Sequence, residues 1–115
     1  MLTIKEQGLL LGIIKHCDKI LEKIEGLTKK QFDKDDDLIQ IVCFNILQIG
    51  ELAKNFDISF ISKFNKVPWK QITGMRDKVA HGYGTIDIDI VWKTAKKDIL
   101  TLRNYCGKLL KEKDL

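Results

Sequence analysis

LIQIVCFNILQIGELAKNF, residues 38–56, is apolar around most of a helical circumference, and its reading decides the fold class. Leu38, Ile41, Val42, Ile46, Ile49 and Ala53 recur at helical period and form one stripe, which Ile39, Cys43 and Leu47 widen. A helix this apolar has to be covered on more than one side. Its main polar residues, Asn45, Gln48, Glu51 and Asn55, share an arc of roughly 120° at about 100° per residue. Such a narrow strip either faces water or lines a polar cleft.

Upstream, Thr3 and Glu6 stand at capping-box spacing, and Leu10, Ile13, Ile14, Cys17, Ile20, Leu21 and Ile24 repeat with helical period until Gly26. The stretch LTKKQFDKDDD, residues 27–37, is charged and rich in turn formers, so it reads as a loop in which one aspartate caps the next helix. Downstream, Phe60, Ile61 and Phe64 lie on a short helical or irregular segment. Pro68 suits the first turn of a third long helix, whose core face is Trp69, Ile72, Met75 and Val79. That helix is expected to stop near His81, because Gly82 and Gly84 flank Tyr83. Asp87 caps a last helix with Ile88, Val91, Ala95, Ile99, Leu102, Cys106 and Leu109 on one stripe.

Strand alternation never persists beyond a few residues; TIDIDIV, residues 85–91, comes nearest and runs straight into the last helical stripe. The reading is therefore all-α: an antiparallel, up-and-down bundle of four to five helices in one domain, residues 1–115. The wide apolar surface of residues 38–56 adds the expectation of a dimer.

Composition narrows the function classes. With 44% hydrophobic and 31% charged residues and one proline, the chain has the make-up of a soluble globular protein. Its net charge of +4 mildly favours a polyanionic partner without marking a dedicated nucleic-acid binder. Cys17, Cys43 and Cys106 are odd in number, far apart and set in apolar patterns, which argues for reduced, buried thiols. The longest N-terminal apolar run is broken by Gly12 and Lys15, far short of the roughly 20 residues a bilayer span needs. The cytoplasm is the default compartment, and no membrane partner is expected.

The densest polar constellation is Arg76-Asp77-Lys78-Val79-Ala80-His81-Gly82-Tyr83, with one of two arginines and one of two histidines. Taken alone, a cation and a histidine near a helix C-terminus are an ordinary solvated end. Residues five apart point about 140° apart on a regular helix, so Arg76 and His81 converge only if the helix ends between them. Were they to converge, the guanidinium fork could hold a phosphate while the imidazole exchanged a proton near neutral pH. That pair is a minimal kit for RNA cleavage by the 2′-hydroxyl. His16 reads as a satisfied core or boundary histidine, Asp36 and Asp37 as loop or cap residues, and Trp69 and Trp92 as packing. No metal site is apparent, and phosphate loops, dinucleotide fingerprints and nucleophile motifs are missing.

Several blocks taken together resemble one family: Ile46-x-x-Ile49-Gly50-Glu51-x-Ala53-Lys54, then Pro68-Trp69-x-x-Ile72-x-Gly74-Met75-Arg76-Asp77, then His81-Gly82-Tyr83, then Asp89-x-Val91-Trp92. They look like the HEPN superfamily and, within it, the HepT-like ribonuclease toxins. That resemblance implies a metal-independent, cofactor-free endoribonuclease of a type VII-like toxin–antitoxin pair. It puts the Arg-x4-His-x-Tyr motif on Arg76, His81 and Tyr83, with Asp77 and Glu51 in support. It further implies a symmetric homodimer and a cognate minimal nucleotidyltransferase antitoxin that adenylylates Tyr83. Two other readings stay open on the residues: a catalytically silent HEPN module that docks a nucleotidyltransferase or a nucleotide, and a purely structural dimerisation domain.

Overall fold

The computed structural model describes residues 2–82 and 87–112, and the backbone alone in the stretch 78–82. Seven α-helical segments follow one another: α1 (Ile4–Ile24), α2 (Lys29–Asp33), α3 (Asp36–Ala53), α4 (Ile58–Lys63), α5 (Trp69–Gly82), α6 (Ile88–Lys93) and α7 (Ile99–Lys111). A π-helical turn, Thr94–Asp98, joins α6 and α7 into one rod. No strand occurs among the described residues. The all-α reading is borne out, with four long rods and two short helices.

Helix starts follow local chemistry. Thr3 and Glu6 close a reciprocal capping box on α1, and the Asp35 side chain accepts from the Leu38 amide at 3.0 Å to start α3. Asp87 caps α6 through the Asp89 amide at 2.9 Å. The stretch read as a loop holds a helix, α2, because Thr28 and Gln31 form a second capping box there. Phe32 makes that short helix stick: it is fully buried and packs 5.0 Å from the Trp92 ring. Lys29 fastens α2 from outside by bridging Asp33 at 2.8 Å and Asp89 at 2.5 Å.

α3 is the central rod, packed against α1 on one side and α5 on another, while α1 also packs against α7. α1 and α3 run antiparallel: Gly12 meets Leu52, and four residues further along α1 His16 meets Asn45. The core is one continuous cluster, with Leu10, Ile13, Ile20, Val42, Ile49 and Ile99 buried to within 2%. Cys17, Cys43 and Cys106 are free and buried within it, as their apolar setting implies. Burial pushes the thiols of Cys43 and Cys106 up to about 11 and about 12.

The base of α5 is fixed by an aromatic cluster. Phe56 stacks on Phe60 at 4.2 Å and tilts against Trp69 at 5.0 Å. The Trp69 indole donates to the Phe64 carbonyl at 3.0 Å, so the segment before α5 is tied to its first residue. Trp69 is thus packing, as read from the sequence, and it sets the line along which Arg76 is presented.

Candidate active site

Three of the residues singled out by sequence come together where α5 crosses α3. Gly50 has no side chain, so α5 approaches until Arg76 lies over it: a Cβ on Gly50 would fall 2.1 Å from the Arg76 Cβ. The next residue of α3, Glu51, accepts a hydrogen bond from Arg76 Nε. Arg76 Nη1 donates to Asp77 Oδ1 at 2.7 Å. One guanidinium therefore sits between two carboxylates, one from each helix.

The carboxylates of Asp77, first, and Glu51 push the arginine further above its ordinary range, so its charge is permanent. The side chain keeps 23% of its surface exposed. Among the described residues Nη2 donates to no protein group. The fork is thus held in place by its two carboxylates with part of its edge left open to solvent.

The remaining motif residues are less defined. α5 is unbroken through His81 to Gly82, so no helix end falls between Arg76 and His81 to swing them onto one face. The helix stops at Gly82, close to where the glycine pair led it to be expected, and not between Arg76 and His81. The His81 side chain and all of Tyr83 lie outside the described residues. Of the polar strip of α3, Asn45 turns out to be buried, Gln48 and Glu51 are half-buried and Asn55 is exposed. His16 is satisfied as read: its Nδ1 lies 2.8 Å from Asn45 Oδ1, and the Asn45 amide donates to the Ile41 carbonyl at 2.8 Å. Among the described residues no three His, Cys, Asp or Glu side chains converge as metal ligands would. Asp35 acts as a cap, while Asp36 and Asp37 occupy the first turn of α3.

Fold and site together define a helical bundle that presents an arginine clamped by carboxylates. The family described as ribonuclease HepT-like matches residues 13–109, and the chain belongs to that family, within the HEPN superfamily. It is 35% identical over 100 residues to a Caldanaerobacter subterraneus protein named "Putative RNase TTE0752", covering 87% of this chain and 89% of that one. A Thermococcus cleftensis protein named "Probable ribonuclease HepT" is also 35% identical, over 79% of this chain and 86% of its own. A Methanocaldococcus jannaschii protein named "Gamma-glutamylcyclotransferase and putative RNase MJ0434" is 34% identical, over 86% of this chain and 48% of its own. No solved structure matches the chain. Family and relatives indicate ribonuclease activity.

Proposed function

We propose that the chain is the toxin of a two-component toxin–antitoxin pair, a metal-independent endoribonuclease acting in the cytoplasm through Arg76 and His81. The observation that carries this reading is the Arg76 guanidinium, held over Gly50 by Glu51 and Asp77 with donors to spare, five residues before His81 in a HepT-like chain. The ribose 2′-oxygen attacks the adjacent phosphorus as its proton passes to a base. The bond from phosphorus to the 5′-oxygen breaks, that oxygen takes a proton, and a 2′,3′-cyclic phosphate remains. Arg76 meets the charge that builds on the non-bridging oxygens, and His81 handles a proton.

A symmetric homodimer completes the site in this reading. Because α5 runs on as helix from Arg76 through His81, a cleft shared by two copies lets the arginine of one work with the histidine of the other. Support comes from the open side of α3, where Phe44 is 57% exposed and Ile41 37% exposed. Tyr83 is then the point of control: a cognate minimal nucleotidyltransferase adenylylates its hydroxyl, and the added negative phosphate repels the substrate's own.

The test is cleavage of total RNA in the presence of EDTA by wild type, Arg76→Ala and His81→Ala. Cleavage by the wild type alone, with cyclic phosphate ends, is the expected result. Equal inactivity of three folded proteins would point to the silent docking module instead. Mass spectrometry after co-expression with the neighbouring nucleotidyltransferase checks Tyr83, where a gain of AMP units is expected.

A further inference from the structure

Away from Arg76, at the base of α5, two hollows adjoin and share Val67 and Tyr105 as a common wall. The outer one encloses about 210 Å³, and the inner one, which is mainly apolar, about 140 Å³. Among the described residues the outer hollow is ringed by Lys63, Lys66 and Lys108, against the carboxylate of Glu112. Val67 and Leu109, both buried, give it an apolar floor. Tyr105 is half-buried, and among the described residues its hydroxyl bonds no protein group.

Lys63 and Lys108 sit in the last turns of α4 and α7, where a cation offsets the helix dipole. Lys66 has no such role. It lies exposed in the turn between α4 and α5, and among the described residues none of the three lysines forms an ion pair. Three lysines without an ion-pair partner among the described residues, around a small hollow with an apolar floor and an aromatic wall, suit a phosphate backbone carrying an unpaired base. The volume is below the roughly 300 Å³ at which pockets begin to hold whole small-molecule ligands, so it suits one base rather than a complete cofactor.

We propose that this lysine-ringed slot is a single-stranded RNA subsite: one unpaired base rests against Tyr105 over Val67 and Leu109 while Lys63, Lys66 and Lys108 meet the flanking phosphates. It rests on the ribonuclease reading for its biological ligand but not for its existence. Arg76 stands two turns along α5 from Trp69, which follows the slot wall at Val67, so the two places are about 10 Å apart along the helix axis at about 1.5 Å per residue. A base that enters the slot has to leave the duplex stack, so the enzyme selects RNA that is unpaired at that nucleotide.

The experiment is fluorescence anisotropy with a labelled ten-nucleotide 2′-O-methyl RNA, which cannot be cleaved, titrated into wild type, Lys66→Ala/Lys108→Ala, Tyr105→Leu and the α1 control Lys19→Ala/Lys23→Ala. The slot lysine variant is expected to bind about tenfold more weakly, with the salt dependence reduced by about 0.7 per lysine removed. Tyr105→Leu is expected to lose about tenfold as well through lost stacking, at unchanged salt dependence. The α1 control should bind as wild type. In parallel, cleavage of a dinucleotide should be unaffected in both slot variants while cleavage of long RNA falls. Slot variants that bind like wild type overturn the subsite, whatever the RNase assay gives. Lysine- and tyrosine-dependent binding by a wild type that cleaves nothing would uphold the subsite and overturn the RNase reading.

Discussion

Gly50 and Arg76 touch backbone to side chain: a Cβ on Gly50 would lie 2.1 Å from the Cβ and 2.7 Å from the Cγ of Arg76. No packed atoms tolerate such distances, so Gly50→Ala has to push α5 away from α3. Overpacking of this kind costs about 1–3 kcal/mol, and the shift separates Glu51 from Arg76 as well. Urea unfolding should show that loss together with lost RNA cleavage. Gly74→Ala is the control: open space surrounds that position of α5, and the change should stabilise by up to about 1 kcal/mol. A Gly50→Ala protein as stable as wild type would mean that the close approach is not needed.

Glu51→Gln probes orientation separately from stability. Glu51 is 45% exposed, and exposed ion pairs contribute about 0–1 kcal/mol, so unfolding should hardly change. The amide still accepts from Arg76 Nε but no longer holds it by charge. RNA cleavage should fall by about tenfold, whereas Arg76→Lys, which lacks the planar fork, should fall further. Loss of cleavage with unchanged unfolding assigns Glu51 to the site, while an unfolding loss beyond about 1 kcal/mol assigns it to the scaffold.

Much of this architecture was legible in residues 38–56 and in the stripes of the other long helices, because burial at period 3.6 leaves its mark on residue choice. α2 was misread since its net signal is charge, yet Thr28-x-x-Gln31 is a capping box and Phe32 an apolar anchor, and those two together could have exposed it. The π turn at Thr94–Asp98 left no mark: the steps from Ile88 through Val91, Ala95 and Ile99 to Leu102 are 3, 4, 4 and 3 residues, which a regular helix also allows. At the site, the residue types pointed to Arg76 but could not give its contact with Gly50, which depends on a crossing of two helices 26 residues apart in sequence. The same limit made a helix end between Arg76 and His81 look available when α5 runs through both.

His16 and Asn45 supply a test of which histidine matters. Their 2.8 Å hydrogen bond spans the α1–α3 seam, so Asn45→Ala strands the half-buried imidazole and should cost about 1–3 kcal/mol. His16→Ala should lower stability yet leave cleavage per folded molecule intact. Cleavage lost in His16→Ala at full folding would move the proton-transfer role away from His81.

The buried thiols make stability sensitive to alkali. Folding raises Cys43 from 9.0 to about 11 and Cys106 from 9.0 to about 12, and burial raises Cys17 likewise. The folded protein therefore holds thiol protons that the unfolded chain releases, and the stability present below pH 9 declines as pH rises toward those folded values. Each thiol contributes a slope of about 1.4 kcal/mol per pH unit in that window. Denaturant unfolding at several pH values above and below 9 should show the decline, and Cys43→Ala should reduce the slope. A slope unchanged by Cys43→Ala would assign the decline to other groups.

Phe44 carries the last prediction. It precedes Asn45, the residue that meets α1, and is 57% exposed on a helix whose other faces are covered by α1 and α5. In a two-fold dimer built on this stripe a residue near the axis faces its own copy. Phe44→Glu then sets like charges in an apolar contact while changing nothing inside the monomer, where an exposed substitution alters stability by about 0.5 kcal/mol or less. Sedimentation should report a dimer for the wild type and a folded monomer for Phe44→Glu, and RNA cleavage should be lost with the dimer. Ile58→Glu, at an 84% exposed position on α4, should leave both unchanged. If Phe44→Glu sediments as wild type does, copies do not meet along α3; if it is a folded monomer that still cleaves RNA, Arg76 and His81 act within one chain and the shared cleft is wrong.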